Sequence, residues 1–441
     1  MPPGPRGDWL LGNAEDLKKD PLKYLLLWHK QHGDFVKLRI GHLNMVLVCN
    51  PDLIHEVLVT KASSFSKDVA IKNNPEFFGE GLLRSEGEFW KRQRKLAAPS
   101  FSPKRLEEYA STMIEEVSEM LKGWQDGELV DIQIEMMRLT LAIASKTLFD
   151  ADVKEHGVAF EEALADAQKY LGERLEDLII LLLPQWVPFP TNVHLHDAIE
   201  KCNKVVYKLI QERRGKTEGR HDLLSSLIDA RDEDGSQMSD KQIRDEVFTL
   251  FFAGHETTAL TLTWTLHLIS KNPEVEAKLL DELQSVLQDR PIEANDFHRL
   301  NYTRKVIFES MRLRPPVWAI AREAVEDCFI GKYDVPKGVS IMISQWVNNQ
   351  DERWFSNAQK FDPDRWTAEF HENLPKFAYF PFGGGPRTCI GNNFALLEAV
   401  LLLAAIMREY HLDTEPEQNI VLQPAATLRP KNGIKMSLHK R

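Results

Sequence analysis

The chain has 441 residues, 43% apolar and 27% charged, ordinary proportions for a folded globular protein. They exclude a collagen-like, coiled-coil or disordered chain and supply enough apolar material to enclose a cofactor. With 55 Lys+Arg against 66 Asp+Glu the net charge is −11, so nucleic acid is not an expected partner, because phosphate contacts need clustered cations.

Cysteines stand at 49, 202, 328 and 389, none within metal-ligand or redox-pair spacing of another. That excludes a zinc ribbon and a disulfide framework and fits a reducing, cytoplasmic setting. The longest apolar runs, 178–183 and 399–407, fall far short of the ~20 residues needed to span a bilayer. A soluble chain with at most peripheral membrane contact is expected, and nothing argues against a monomer.

In chain order, residues 35–50 alternate around a glycine turn and predict a hairpin. Residues 102–123 predict a helix, with Ser102 as N-cap and Pro103 first inside it. An apolar helix over 131–150 follows. The segment 184–190 (PQWVPFP) breaks helix with three prolines and predicts a loop with exposed aromatics. Residues 213–221 and 231–239 read as charged surface loops. Ser239 and Gln242 form a capping box opening a helix that runs to about Lys271, roughly 48 Å long. Helices over 273–287 and 300–313, short strands within 318–345 and an apolar helix over 393–409 come next. The Asn432-Gly433 pair predicts a terminal hairpin. The expected class is mainly α with minor antiparallel β-sheets, as one domain over 1–441.

The chemistry concentrates at 382–391, FGGGPRTCIG. A glycine-rich loop delivers Cys389 at the start of a helix, where partial positive charge and unpaired N–H groups favour a thiolate. The glycines let backbone approach a bulky partner. The competing reading of Cys389 alone is an inert buried thiol.

The loop resembles the proximal-ligand loop of the cytochrome P-450 family, the haem-thiolate monooxygenases. All five fixed positions of the family pattern are present: Phe382, Gly385, Arg387, Cys389 and Gly391. Three further stretches resemble the same family in the same order. Ala253, Gly254, His255, Glu256, Thr257 and Thr258 are similar to its oxygen-activating segment. Glu309 and Arg312 are similar to its E-x-x-R pair, and Trp90 with Arg94 to its propionate-binding segment.

The resemblance implies the cytochrome P-450 fold, haem b bound through Cys389 as the metal ligand, and dioxygen as co-substrate. Phe382 would shield the thiolate. Arg387, Trp90, Arg94 and Arg322 would meet the haem propionates. Ala253 and Gly254, both small, would let the macrocycle approach. Thr257 sits four residues after Ala253 on the same helix face and can bond its carbonyl. Glu256 and Thr257 would be catalytic, carrying protons to dioxygen. The rival reading of that segment is a kinked helix with a solvated glutamate.

His255 is expected to be a helix-surface residue without a metal role. Arg365, in 363–366 (PDRW), would join Glu309 and Arg312 in a buried network; the family's usual residues there are P-E-R-F. Cys49, Cys202 and Cys328 read as small apolar residues.

Electrons would come from a separate ferredoxin, flavodoxin or flavin reductase, since no flavin, nicotinamide or iron–sulfur motif is present. The expected substrate is an apolar small molecule, fatty acid or isoprenoid-like, touching Phe77, Phe78, Phe252, 317–320 and 426–428. The apolar stretch at 178–183 and the loop at 186–189 would line an entrance or meet a membrane surface. Two alternatives stay open: a peroxide-dependent or hydroperoxide-rearranging haem-thiolate enzyme, and a non-catalytic haem sensor or electron carrier.

Overall fold

In the computed structural model, residues 2–149, 153–176, 185–217, 220 and 222–441 are described; the apolar 178–183 stretch lies outside them. The principal helices are α1 (Pro21–His32), α2 (Gly87–Ala97), α3 (Pro103–Gly123), α4 (Ile132–Phe149), α5 (Val153–Glu176), α6 (Pro190–Arg213), α7 (Asp240–Ser270), α8 (Pro273–Leu287), α9 (Asn301–Leu313) and α10 (Asn392–Glu409). The strands are β1 (Phe35–Ile40), β2 (Leu43–Val48), β3 (Phe65–Lys67), β4 (Leu129–Asp131), β5 (Ile320–Ala324), β6 (Cys328–Ile330), β7 (Tyr333–Val335), β8 (Ser340–Ile343), β9 (Tyr410–Thr414), β10 (Leu422–Pro424), β11 (Leu428–Pro430) and β12 (Lys435–Lys440). The fold is mainly helical with small sheets, as the sequence predicts. Its contacts divide it into two compact units.

The first unit holds the residues up to Val69, Phe308–Cys389 and Leu422–Arg429. Its sheet has the order β1-β2-β8-β5-β3. The predicted β1–β2 hairpin is present, with Phe35 opposite Val48. Pairing is antiparallel except between β2 and β8, which run parallel. Apolar side chains of this sheet, among them Phe35, Val46, Ile341 and Ile343, pack with Phe377 and Phe380, just ahead of the Cys389 loop.

One buried charge network organises this unit. Glu309 and Arg312 are completely inaccessible to solvent. Arg312 donates to Glu309 through Nε at 2.9 Å and Nη2 at 2.8 Å. Arg365 Nε adds a bond at 2.9 Å, and the Asp362 main-chain N–H one at 3.0 Å. The indole of Trp366, where the family pattern has phenylalanine, donates to Glu309 Oε2 at 2.9 Å. Arg312 also spans the carbonyls of Asn349 and Ala358 at 2.8 and 2.7 Å. Trp366 packs on Tyr379 with ring centroids 4.6 Å apart, and the Tyr379 hydroxyl donates to the Phe308 carbonyl at 2.8 Å.

The second unit holds Ala70–Ile307, Ile390–Val421 and Pro430–Arg441. Its axis is α7, opened by the predicted capping box: Gln242 N–H donates to Ser239 Oγ, and Ser239 N–H to Gln242 Oε1. At 1.5 Å per residue α7 is about 46 Å long. It packs against α4 and α10, and α5 lies along α6.

Ser102 stands at the N-cap of α3 with Pro103 first inside the helix, as predicted, although its side chain makes no capping bond. One expectation needs correction here. The Asn432-Gly433 turn joins β11 to β12, which do not pair. Both edges of β12 are taken by β4 and β9, so the turn passes between two sheets.

Among the buried carboxyl groups of this unit, Glu246 and Glu398 are shifted strongly upward. Glu246 on α7 has its pKa pushed by burial from 4.5 to about 7, against opposing hydrogen bonds from Leu82 and Gln93. Burial raises Glu398 on α10 from 4.5 to about 8, against a bond with Thr258 of α7.

Two predictions follow from these buried charges. Trp366→Phe removes one donor to a charged acceptor and is expected to cost about 2 kcal/mol in urea denaturation. Glu309→Gln strands two guanidinium groups and is expected to cost about 3–5 kcal/mol. A Trp366→Phe protein as stable as the parent would show that the indole bond contributes nothing. The second prediction concerns pH. Each raised carboxyl binds its proton more tightly folded than unfolded, so its stability contribution falls as pH climbs from about 4.5 through the folded pKa. For Glu246 the full shift corresponds to roughly 3 kcal/mol. Glu398→Gln mimics the neutral acid and is expected to match the parent near pH ~5 and exceed it near pH ~8. A difference between the two proteins that does not change with pH would contradict this.

Candidate functional site

In the first unit, the Cys389 loop is closed on itself. Cys389 N–H donates to the Phe382 carbonyl at 2.9 Å, and Thr388 Oγ1 to the Gly385 carbonyl at 2.7 Å. Gly385 has φ +67°, and a methyl group there would lie 1.8 Å from the Leu58 carbonyl oxygen. Glycine is therefore required for both conformation and contact. Cys389 sits three residues ahead of the first residue of α10, in the turn before its Gly391 N-cap, rather than on the helix itself.

Cys389 is the exposed cysteine of the four. Burial pushes the Cys49 thiol far up and the Cys202 thiol to about 12, and it raises Cys328. Those three are the inert residues the sequence predicts. Phe382 and Arg387 are half-buried on the loop, with Arg387 in the short turn Gly385–Arg387. Arg322 is half-buried on β5, in register with Lys67 and Ile341, and its Nη1 donates to the Ala321 carbonyl at 2.8 Å.

In the second unit, Trp90 and Arg94 lie one turn apart on α2, the guanidinium carbon 5.7 Å from the indole centroid. On α7, Thr257 Oγ1 donates to the Ala253 carbonyl at 2.9 Å, as the spacing predicts. The helix stays α-helical through this segment, with no break at Gly254. Ala253 is exposed on a helix that is otherwise largely buried, and a methyl group at Gly254 would meet no atom within 4 Å. Glu256 and Thr257 are half-buried.

His255 corrects an expectation. It is buried, not on the helix surface. Its Nδ1 lies 2.9 Å from the Phe251 carbonyl, an acceptor, so Nδ1 carries the proton and Nε2 accepts from Gln168 of α5 at 3.2 Å. Burial lowers its pKa.

Phe77 and Phe78 differ from expectation too. Both are fully buried and pack edge-on to Phe252, with Phe77 also against Phe248, so they back the half-buried Phe252 rather than line a surface. In the first unit, two other expected substrate segments come together: Trp318 Nε1 donates to the Ala425 carbonyl at 2.8 Å, and Leu428 N–H to the Pro316 carbonyl at 2.9 Å.

The periodicity did not single out Glu246, Glu398 or Gln93. An acid inside an apolar run was a signal for Glu398, within 396–406, whereas Asp245-Glu246 follow Lys241, Gln242 and Arg244 and carry none.

The donor set suits a haem: an accessible thiol on a rigid loop, guanidinium and indole N–H groups for carboxylates, and small residues on a helix face. A model of the cytochrome P450 family matches residues 2–438. The chain is 34% identical over 428 residues to cyclooctatin synthase of Streptomyces melanosporofaciens, covering 96% of this chain and 92% of that protein. It is 31% identical over 432 residues to pentalenene oxygenase of Streptomyces avermitilis, covering 98% and 96%. The crystal structure of the cytochrome P450DA heme domain superposes with a TM-score of 0.90 at 28% identity, over 100% of this chain and 97% of that one. The match runs the length of both units, and the chain therefore belongs to the cytochrome P450 family and is a haem-dependent monooxygenase.

Proposed function

We propose that this monooxygenase inserts one oxygen atom into an apolar isoprenoid-type molecule, with electrons from a separate ferredoxin, flavodoxin or flavin reductase. The observation that carries the substrate class is its similarity to bacterial terpene oxygenases, pentalenene oxygenase and cyclooctat-9-en-7-ol 5-monooxygenase among them. The haem, when bound, supplies an iron centre at which dioxygen, two electrons and two protons give one hydroxylated product and one water.

The chain's own residues divide the remaining work. Cys389 Sγ is the iron ligand, and its exposure among the four cysteines supports that role. With haem in place, Phe382 would help shield the sulfur from water, and Arg387, Arg322, Trp90 and Arg94 would bind the propionates. Ala253 and Gly254 leave the helix face free of bulk. Glu256 takes protons from water, and Thr257 Oγ1, held on the Ala253 carbonyl, orients the group that passes them on. Phe252, the 317–320 segment and 426–428 meet the substrate.

A non-catalytic haem sensor would need a second side chain to ligate the iron. His255 is committed to Gln168 and Phe251, which favours an oxygenase. Among the described residues no helix is long and apolar enough to cross a membrane. We assign the chain to the cytoplasm as a monomeric haem domain over 1–441. Trp186, 79% exposed, and Phe189 would serve any peripheral membrane contact.

The test is the spectrum of the reduced protein under carbon monoxide, followed by turnover with a reductase and labelled dioxygen. A strongly red-shifted Soret band is expected, lost in Cys389→His, with label appearing in a terpenoid product. Product formed with peroxide alone, and none with reductant and dioxygen, would replace this reading by a peroxygenase. Thr257→Ala is expected to lower product formation on the order of 10²-fold while electron consumption continues and the substrate-induced spectral change is kept. Equal loss of electron consumption and product would remove Thr257 from proton delivery.

A further inference from the structure

Two neighbouring acids on α7, Asp245 and Glu246, are buried and have no role above. Asp245 accepts the Glu80 main-chain N–H at 2.8 Å, and Glu246 Oε2 accepts that of Leu82 at 3.0 Å. Glu246 Oε1 accepts Gln93 Nε2 at 3.1 Å, and Gln93 lies on α2 between Trp90 and Arg94. Consecutive carboxylates thus hold alternate N–H groups of the 79–82 segment and the helix that follows it.

The approach is close enough to dictate sequence. A methyl group at Gly79 would lie 2.0 Å from Asp245 Cγ, and one at Gly81 would lie 2.2 Å from Thr249 Oγ1. At 100° per residue, Glu246, Thr249, Ala253 and Thr257 form one stripe along α7. The 79–82 segment therefore lies on the stripe that presents Ala253 two turns later. Immediately upstream, Phe77 and Phe78 pack on Phe248 and Phe252 of the same helix.

We propose that Asp245 and Glu246 are positioning residues that clamp the 79–82 segment onto α7, and so fix the apolar wall of Leu82, Leu83 and Phe252 against which substrate packs beside Ala253. This rests on the apolar-substrate reading above. Loosening the clamp weakens binding of anything that reaches the wall, without altering the cysteine loop or the groups that handle protons.

The experiment uses the haem-loaded protein with Glu246→Gln, which offers one acceptor oxygen where two are needed, and Gly81→Ala, which intrudes from the other side. Amide hydrogen exchange reads the clamp directly, whatever the natural substrate is. Iron ligands of two sizes, imidazole and 4-phenylimidazole, read the wall. In both variants, exchange over 79–83 is expected to rise about tenfold or more, the equivalent of one lost hydrogen bond to a charged group. Binding of 4-phenylimidazole is expected to weaken about fivefold or more, with imidazole binding and the reduced carbon monoxide spectrum unchanged. Unaltered exchange at 79–83 in either folded variant overturns the proposal. Equal weakening of both ligands overturns it too, because that would mark general loosening of the fold. If Glu246→Gln fails to fold, Gly81→Ala alone decides. Failure of terpenoid turnover with the selective ligand effect intact would count against the substrate class and leave the clamp standing.

Discussion

One buried carboxylate carries the first unit. Glu309 receives N–H groups from Arg312, Asp362, Arg365 and Trp366, with every distance between 2.8 and 3.0 Å. A buried charge is tolerable only when its lone pairs are met, and here both oxygens have donors. The same guanidinium that satisfies Glu309 spends its other N–H groups on carbonyls at Asn349, Ala358 and Lys360. An irregular stretch with little ladder of its own is thereby fixed to helix α9. Trp366 and Tyr379 extend the arrangement to the residues just before Phe382. The position of the cysteine loop thus has its physical cause in a helix some eighty residues upstream.

The loop's own shape is set by sterics as much as by bonds. Gly385 against the Leu58 carbonyl and Gly384 against the Phe377 ring leave no room for a side chain. Pressing the glycines inward while Phe382 and Cys389 share a main-chain bond leaves the sulfur accessible on the opposite side. An accessible thiol on a rigid turn is what metal ligation needs, because a mobile ligand would spend binding free energy on its own ordering.

Local rules made much of this legible. The α7 capping box, the β1–β2 hairpin, the span of α8 and the exposed aromatics at Trp186 and Phe189 depend on neighbours in sequence, and they read correctly. The failures share a cause. Asn432-Gly433 has the chemistry of a hairpin turn, yet whether two strands pair depends on which edges are already taken, and β4 and β9 hold both edges of β12. His255 looked like a surface residue because its partner, Gln168, lies 87 positions away. Asp245 and Glu246 drew no reading from the sequence, because apart from Arg244 beside Asp245 the N–H groups that meet them come from residues 80, 82 and 93, more than 150 positions upstream. Burial of a charge cannot be read from the residue that bears it. The family itself was legible through motif resemblance, which carries non-local information that periodicity lacks.

The segment 253–258 shows how a helix sorts such residues. Thr257 bonds the carbonyl four residues back, but so do Thr258, Thr261, Thr263 and Thr265, so the bond does not mark Thr257 as special. Orientation does. Taking Ala253 as the origin, 100° per residue puts Glu256 at −60° and Thr257 at +40°, while His255 and Thr258 fall at about 200° and 140°. The two residues on the far side are buried and engaged, His255 with Gln168 and Thr258 with Glu398. The two on the Ala253 side are half-buried. A carboxylate and a hydroxyl thus flank the exposed alanine, one on each side. The inward-facing pair holds the helix in the rotation that keeps them there. The proposed roles of Glu256 and Thr257 therefore depend on the anchoring of His255 and Thr258 on the opposite face.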